Sequence, residues 1–240
     1  MKTAVYMIRC LTNLHVGVGS ANYNVVDNPV QRDVTDRRPC IYSSSLKGAL
    51  RQFFASPQLD TIDIDYIFGP DNDGAAEKDN KTGHFNFLQA SLLAFPIQAS
   101  AKEDIPEGYK LCSCSAWKES LKELGQHMGV AGIVFPDFTE EEQKVLADAH
   151  ESLPIIARNY LKNGESKNLW YEEVVPAESH FVFFVTYPEN TGNEKPEDKN
   201  PEDIFKKFDA LLTGEKSIVQ IGANSSVGYG LCKISNITQP

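Results

Sequence analysis

Hydrophobic and polar residues alternate along the opening segment, "MKTAVYMIRCLTNLHV", with the period of two that is typical of a β-strand. The pattern predicts a strand over residues 3–16, ending at "GVG". "YSSSLKGALRQFF" follows a helical period instead, with Leu46, Ala49, Leu50 and Phe53 on one face and serines in the capping positions. "HFVFFVTY" is a continuous apolar run that predicts a buried strand, and "PEDIFKKFDALLTG" predicts an amphipathic helix.

Turn-forming residues predict the connections. Residues 17–42 are punctuated by Gly, Asn and Pro and are expected to form a long loop, a feature that is usually functional. Asn163–Gly164 predicts a β-hairpin within residues 154–176, and residues 187–203 predict a polar surface loop. Two further expectations are a strand break at Pro96 and a helix capped by Thr139.

The order of these elements favours an α+β sheet domain with insertions over a doubly wound fold. A GxGxxG fingerprint is absent, and the closing "GANSSVGYG", which links two predicted strands, lacks the lysine of a phosphate-binding P-loop. We therefore expect a single domain over residues 1–240 and no nucleotide hydrolysis.

Composition narrows the cellular context. The 240 residues are 41% hydrophobic, and no apolar run approaches the ~20 residues that a membrane span needs, so we expect no membrane association. The opening strand pattern lacks the apolar core of a signal peptide, and the five cysteines are odd in number and scattered. These features predict a cytoplasmic protein with reduced thiols.

Charge is distributed unevenly. Residues 1–54 carry seven Lys and Arg against three Asp, a net charge of +4, although the whole chain has a formal net charge of −10. Lys47 and Arg51 lie four residues apart and therefore project from the same side of the predicted helix. Together with the helix N-terminus and the glycine-rich closing loop, they indicate a polyanion track, most simply single-stranded nucleic acid.

Candidate chemistry centres on Asp27, in the middle of the long loop. A loop carboxylate beside a phosphate track can bind Mg²⁺ or Mn²⁺, or remove a proton from a 2′-hydroxyl. His15 is expected to be a hydrogen-bonded histidine at the end of the first strand, with acid–base support of Asp27 as its alternative role. In "LWYEEVVP" adjacent carboxylates fall on opposite strand faces, so we expect Glu172 and Glu173 to form a solvent-facing ladder, from which one could approach the site.

Several segments together resemble the RAMP superfamily: "LHVGVGS", "VVDNPVQRD", "PCIYSSSLKGALRQFF", "IFG", "GHFNFLQASLLAFPIQ", "LWYEEVVP" and "VQIGANSSVGYGLCKI". Within the superfamily the sequence is most similar to the repeated backbone subunit of the Cmr complex, the type III-B CRISPR RNA-guided effector. The resemblance implies an RRM-like (ferredoxin-like) palm with insertions and a β-hairpin thumb within about residues 154–176. It also implies head-to-tail stacking of copies along a guide (CRISPR) RNA, beside other subunits of the Cmr complex.

The resemblance also implies roles for individual residues. Asp27 would cleave complementary target RNA at regular intervals with Mg²⁺ or Mn²⁺, supported by His15, Tyr171 or Glu172. The residues implied or expected to contact RNA are Arg32, Ser44, Ser45, Lys47, Arg51, Gly222, Gly228 and Gly230. Physically, a splayed nucleotide can bring its own 2′-oxygen in line with the scissile phosphate, so one carboxylate can suffice.

Three alternatives stay open from the sequence. A backbone subunit of the same superfamily could bind guide RNA and its neighbours without cutting. A guide-processing ribonuclease would be metal-independent and would use histidine chemistry. A non-CRISPR RNA-binding module would carry aromatic stacking residues on its sheet, and that motif is not found.

Overall fold

The computed structural model describes residues 1–19, 26–56, 62–70, 82–100, 105–190 and 200–239. Within these residues the chain forms a mixed α/β structure. The helices are α1 (Ser43–Phe54), α2 (Ile64–Phe68), α3 (Ser115–His127), α4 (Gln143–Glu151) and α5 (Pro201–Thr213). The strands are β1 (Lys2–Cys10), β2 (Cys40–Ile41), β3 (Asn86–Phe87), β4 (Ala90–Gln98), β5 (Tyr109–Ser113), β6 (Thr139–Glu140), β7 (Ile155–Lys162), β8 (Glu165–Glu173), β9 (His180–Tyr187), β10 (Val219–Gln220) and β11 (Leu231–Asn236).

Nine of these strands form one sheet, in the order β10-β11-β1-β9-β4-β5-β6, with β2 beside β4 and β3 beside β9. Only the β5–β6 pair is parallel among the described strands. The other two strands, β7 and β8, pair antiparallel as the hairpin predicted around Asn163–Gly164, and both turn residues have positive φ. The hairpin prediction is confirmed.

The core lies on both faces of the large sheet, which explains the apolar run of β9. Phe181 and Phe183 face the larger cluster, where α1 and α5 contribute Leu50 and Phe208. Neighbouring residues of β9 face a smaller cluster that includes Leu121 of α3. A strand covered on both sides has no solvent face, so its sequence does not alternate.

Local corrections concern where elements begin and end. β1 ends at Cys10, and the predicted remainder of that strand continues only as an isolated bridge at Leu14. β4 runs through Pro96, because at that point β5 is its only neighbour among the described strands and the missing N–H needs no partner. Thr139 does not cap α4: it pairs in β6, and the helix begins after Glu142.

The two predicted loops are also shorter than expected. β2 lies inside residues 17–42, of which residues 20–25 fall outside the described part. At 187–203, Tyr187 still belongs to β9 and α5 begins at Pro201, while residues 191–199 are not among the described residues. None of the described helices is both long and apolar enough to cross a membrane.

Candidate active site and nucleic-acid interface

Asp27 lies exposed on the loop that leads from β1 to β2. Its carboxylate oxygen Oδ2 accepts a hydrogen bond from the main-chain N–H of Tyr171 at 2.8 Å. The other oxygen, Oδ1, has no hydrogen-bond partner among the described residues. One oxygen thus fixes the side chain while the other stays open to a ligand.

The backbone on either side of Asp27 is held by the end of β8. The N–H of Asn28 donates to the carbonyl of Tyr171 at 3.1 Å, and the N–H of Glu173 donates to the carbonyl of Asn28 at 3.0 Å. These bonds make a short parallel bridge between Asn28 and Glu172. The loop is therefore placed by main-chain bonds to the hairpin, a placement that side-chain patterning could not reveal.

His15 meets the same end of β8 from the other side. Its Nδ1 lies 2.7 Å from the carbonyl oxygen of Glu173, and the side chain is buried. The ring also packs closely on Gly17, where an added Cβ would lie 3.1 Å from Nε2. The expected hydrogen-bonded histidine is confirmed, but burial keeps its ring away from solvent, where a substrate would approach.

The two glutamates of "LWYEEVVP" are buried, so the expected solvent-facing ladder is wrong. Glu172 accepts hydrogen bonds from Trp170 Nε1 at 2.9 Å and Arg158 Nε at 2.5 Å. Burial alone would raise the pKa of the Glu172 carboxyl, but the bonds from Trp170 and Arg158 and the charge of Arg158 outweigh it and lower that pKa. An ionised, fully engaged carboxylate is poorly suited to accept a proton.

Glu173 forms an internal ion pair with Arg32, and the two side chains are only 11% and 10% exposed. The second oxygen of Glu173 accepts from the N–H of Val30 at 3.0 Å. Arg32 also donates to the main-chain carbonyls of Arg37 and His150. These contacts use Arg32 to hold the loop in place and leave little of it for the RNA contact implied by the sequence.

Gln31 is a buried residue that sequence reasoning missed. Its Nε2 donates to the carbonyl of Gly17 at 3.0 Å and to Ser45 Oγ at 2.9 Å, while its Oε1 accepts from the N–H of Tyr42 at 2.7 Å. One amide therefore joins Gly17, the Gln31 segment of the long loop and the start of α1. A polar residue between Val30 and Arg32 gives no signal of this role in the sequence.

The two basic residues of α1, Lys47 and Arg51, differ in their contacts. Lys47 is half-buried and makes no ion pair or side-chain hydrogen bond with any described residue. Arg51 instead donates to the carbonyl of Gly69 and lies 3.6 Å from Asp65 of α2. Ser44 is exposed in the first turn, which no side chain caps, because the N-cap is Tyr42 and not a serine.

A groove of about 510 Å³ lies between the second half of α1 and the approach to β10. Ala49 and Phe53 form one wall, while Ile218 and Gln220 form the other. Lys216 and Ser225 also line the groove, and Ser225 belongs to the glycine-rich loop. The helix α1 and the glycine-rich loop therefore border the same groove, but Lys47 and Arg51 are not among the residues that line it.

Three glycines of the closing loop have positive φ but different surroundings. A Cβ on Gly222 would lie 2.4 Å from the carbonyl of His15, and one on Gly230 would lie 1.9 Å from the carbonyl of Ile221. Gly228 faces open space. The fold itself therefore requires glycine at 222 and 230, whereas Gly228 leaves its surface free for a ligand.

The available donors fit a divalent cation only in part. Among the described residues, no three His, Cys, Asp or Glu side chains are grouped to hold a metal ion. Mg²⁺ is commonly held by one or two carboxylates together with water and substrate phosphates. Asp27 could supply one such carboxylate, and the remaining ligands of Mg²⁺ or Mn²⁺ would come from RNA and water.

Comparisons with known proteins identify relatives of this chain. The chain is 29% identical over 124 residues to the CRISPR system CMR subunit Cmr4 of Saccharolobus solfataricus. The match covers 51% of this chain and 38% of that relative. A second, 34% identical over 100 residues, covers 41% of this chain and 32% of the CRISPR system Cmr endoribonuclease Cmr4 of Pyrococcus furiosus. The chain thus spans about a third of the length of these curated relatives.

The fold is also found in a solved structure. A chain from the cryo-EM structure of the type III-B Cmr-beta bound to cognate target RNA superposes with a TM-score of 0.75 at 18% identity, covering 99% of this chain and 98% of that chain. The family model for the RAMP superfamily matches residues 7–233. Since that match spans nearly the whole sequence, the chain belongs to the RAMP superfamily.

Proposed function

We propose that the chain is the repeating backbone subunit of a type III-B CRISPR effector complex, which binds guide RNA and cleaves complementary target RNA at regular intervals. The observation that carries this proposal is the exposed carboxylate of Asp27, fixed through one oxygen by the N–H of Tyr171 and open at the other. Superfamily membership and the similarity to proteins named Cmr4 support the same reading.

RNA cleavage requires few catalytic groups from the protein, because RNA contains its own nucleophile, the 2′-hydroxyl. When a target nucleotide is splayed out of its duplex, its 2′-oxygen can align with the scissile phosphate, and orientation lowers much of the barrier. Its attack on phosphorus would break the bond to the 5′-oxygen of the next nucleotide, which leaves as a 5′-hydroxyl, and would produce a 2′,3′-cyclic phosphate. Asp27 would accept the 2′-hydroxyl proton or hold a divalent cation at the phosphate. Bound Mg²⁺ or Mn²⁺ would stabilise the charge that develops on the phosphate oxygens.

The supporting residues would act on geometry. His15 and Glu172 are buried and engaged in hydrogen bonds, so each would hold the loop and hairpin in place without touching RNA. Tyr171 has a 40% exposed side chain and supplies the N–H that orients Asp27. It is therefore the neighbour of Asp27 best placed to contact the substrate.

Within this proposal the large sheet supplies an RRM-like (ferredoxin-like) palm. The central strands follow the order β11-β1-β9-β4, and α1 and α5 connect them along the chain in a β-α-β-β-α-β sequence. The hairpin of β7 and β8 would be the thumb that interrupts the guide–target duplex. Its apolar side chains Ile155, Leu161 and Leu169 are more than half exposed, which suits contact with a neighbouring copy stacked head to tail.

Guide RNA would follow the groove beside α1. Outside the groove, Lys47 and the uncapped first turn at Ser44 offer a cation and main-chain N–H groups to phosphate, and Gly228 offers open backbone in the glycine-rich loop. Lys216 supplies a cation within the groove itself. Other subunits of the complex would cap the stack of copies.

A second candidate is a backbone subunit that binds guide RNA without cutting. The specific observation in its favour is that the described residues hold no group of three metal-ligating side chains. Both candidates use the same groove and hairpin. They differ only in what Asp27 does.

The test is cleavage of labelled complementary RNA by the reconstituted complex, with Mg²⁺, with Mn²⁺ and with EDTA. We expect evenly spaced, metal-dependent cuts from wild type that disappear in Asp27→Ala while target binding is retained. Asp137→Ala, which removes another exposed aspartate from the segment before β6, is the matched control and should cut normally. Target binding without cuts by wild type would support the non-catalytic candidate.

A further inference from the structure

Glu172 is the meeting point of four chain segments. Its Oε1 accepts from Trp170 Nε1 at 2.9 Å and from Asn28 Nδ2 at 3.4 Å, and its Oε2 accepts from Arg158 Nε at 2.5 Å and from Asn224 Nδ2 at 2.9 Å. The side chain is only 7% exposed. A buried carboxylate is costly unless its lone pairs are used, and here each oxygen has two donors.

Two of these donors belong to the candidate ligand-binding loops. Asn28 directly follows Asp27, and its own backbone is bonded to Tyr171 and Glu173. Asn224 lies in the glycine-rich loop with φ of 64°, and its carbonyl accepts from the N–H groups of Val227 and Tyr229. Glu172 thus connects the centre of one loop to the residue beside Asp27 on the other.

Asn224 is suited to this position for two separate reasons. Its left-handed backbone is a conformation that Asn, Asp and Gly adopt most readily. Its side-chain amide also supplies the hydrogen bond to Glu172. The two roles can be separated experimentally, because Gly keeps the backbone conformation while removing the amide.

We propose that Asn224 and Glu172 are positioning residues that couple the glycine-rich loop to the loop of Asp27. A single RNA strand that contacts the glycine-rich loop would thereby stabilise the placement of the Asp27 carboxylate. The coupling is a property of the chain itself, whereas its consequence for cleavage rests on the proposed function. The two parts are therefore tested separately.

The first test is amide hydrogen exchange of the 240-residue chain without RNA, measured residue by residue by NMR. The N–H of Tyr171 donates to Asp27 and the N–H of Asn28 donates to Tyr171, so both amides report where Asp27 is held. Asn224→Gly should accelerate their exchange about tenfold, since it removes a hydrogen bond to a charged group. Ser226→Gly adds a glycine to the same loop at an exposed residue and should leave both amides unchanged.

Two further variants sharpen the result. Asn224→Asp keeps the backbone preference but places a second carboxylate against Glu172, so we expect faster exchange than in Asn224→Gly. Glu172→Gln should shift the indole N–H resonance of Trp170, which donates to this carboxylate. Unchanged exchange at Tyr171 and Asn28 in Asn224→Gly would overturn the proposal, as would equal acceleration in Ser226→Gly.

The second test uses the assembled complex. Asn224→Gly should lower the single-turnover cleavage rate about tenfold with target affinity unchanged, and Asp137→Ala, at an exposed residue outside both loops, should match wild type. A cleavage rate equal to wild type despite accelerated exchange would overturn the catalytic consequence. If wild type itself does not cut, the proposed nuclease function fails while the exchange result still decides the coupling.

Discussion

Two parts of the same hairpin have opposite surroundings. At its base, residues 171–175 join residues 14–17, 27–32 and 222–230 in what we call the junction, where buried glutamates meet donors from every side. Residues 159–169, the outer hairpin, are exposed throughout and pair only with each other among the described residues. Tyr160 and Leu161 are more than half exposed there.

The difference shows which surfaces the chain completes by itself. The buried carboxylates of the junction are hydrogen-bonded within the chain, so the junction can hold Asp27 in place before any ligand arrives. The outer hairpin leaves apolar side chains in water, a common feature of surfaces that meet another molecule. One region is therefore prepared for chemistry and the other for assembly.

The largest effect is expected at Gly230, where the junction closes on β11. Gly230→Ala would bring its Cβ to 1.9 Å from the carbonyl of Ile221 in a backbone with φ of 72°. Crowding and strain together should lower the free energy of unfolding by about 3 kcal/mol or more, measured by chemical denaturation. Gly228→Ala has similar φ but open space, so it should cost only about 1 kcal/mol. Equal losses would show that the junction is not close-packed.

Removing one partner of the junction ion pair should have the next largest effect. Arg32→Met leaves the buried Glu173 carboxylate without its cation and should lower the free energy of unfolding by about 3 kcal/mol in urea denaturation. Adding Glu173→Gln should restore part of that loss. Lys167→Met breaks an exposed pair with Glu165 in the outer hairpin and should cost less than about 0.5 kcal/mol. A similar cost for Arg32→Met would remove the contrast between the two regions.

Mild acid should lower the stability of the fold through His150, which contacts the junction residue Arg32. Burial and the charge of Arg32 lower the pKa of His150, whose carbonyl accepts from Arg32. Below about pH 6.5 the unfolded chain therefore binds a proton that the folded chain does not, so stability falls as the pH is lowered from 7 to 5. In thermal unfolding across this range, the slope of Tm against pH should be smaller for His150→Gln than for wild type. The exposed His127, changed to Gln, should leave the slope as in wild type, and the same slope in His150→Gln would contradict the account.

The smallest effect on stability is expected in the outer hairpin. Leu161→Ser and Leu169→Ser remove exposed apolar groups and should change the free energy of unfolding by no more than about 0.5 kcal/mol. By comparison, Leu50→Ala shortens a core side chain and should lower the free energy of unfolding by roughly 2 to 5 kcal/mol. The same serine variants should weaken association between copies in sedimentation velocity. Unchanged association would show that the outer hairpin meets something other than a second copy.

The sequence predicted elements better than it predicted contacts. Periodicity identified α1 and α5, a continuous apolar run identified β9, and the Asn-Gly pair identified the hairpin, because each of these signals depends on neighbours within one element. Glu172 was expected in solvent because strand alternation does not show that a separate loop will cover the strand. Asn224 and Gln31 were missed for a related reason, since their hydrogen bonds reach residues far away in the chain.

Asp27 is the converse case: the sequence identified the residue but not the contact that orients it. Its loop position and its resemblance to a family motif indicated its role, but the N–H of Tyr171 that orients it could only come from the three-dimensional structure. The glycines divide in the same way, because Gly228 and Gly230 look alike in sequence and only the fold separates the open one from the crowded one.

The most direct measurement is the single-turnover rate at which the assembled complex cleaves complementary RNA when it contains Asp27→Asn. Asn keeps an acceptor for the N–H of Tyr171 and removes only the charge. The account predicts a loss of at least about a hundredfold with target affinity unchanged. Cleavage within about twofold of wild type would contradict it, because the open carboxylate of Asp27 would then have no part in the chemistry.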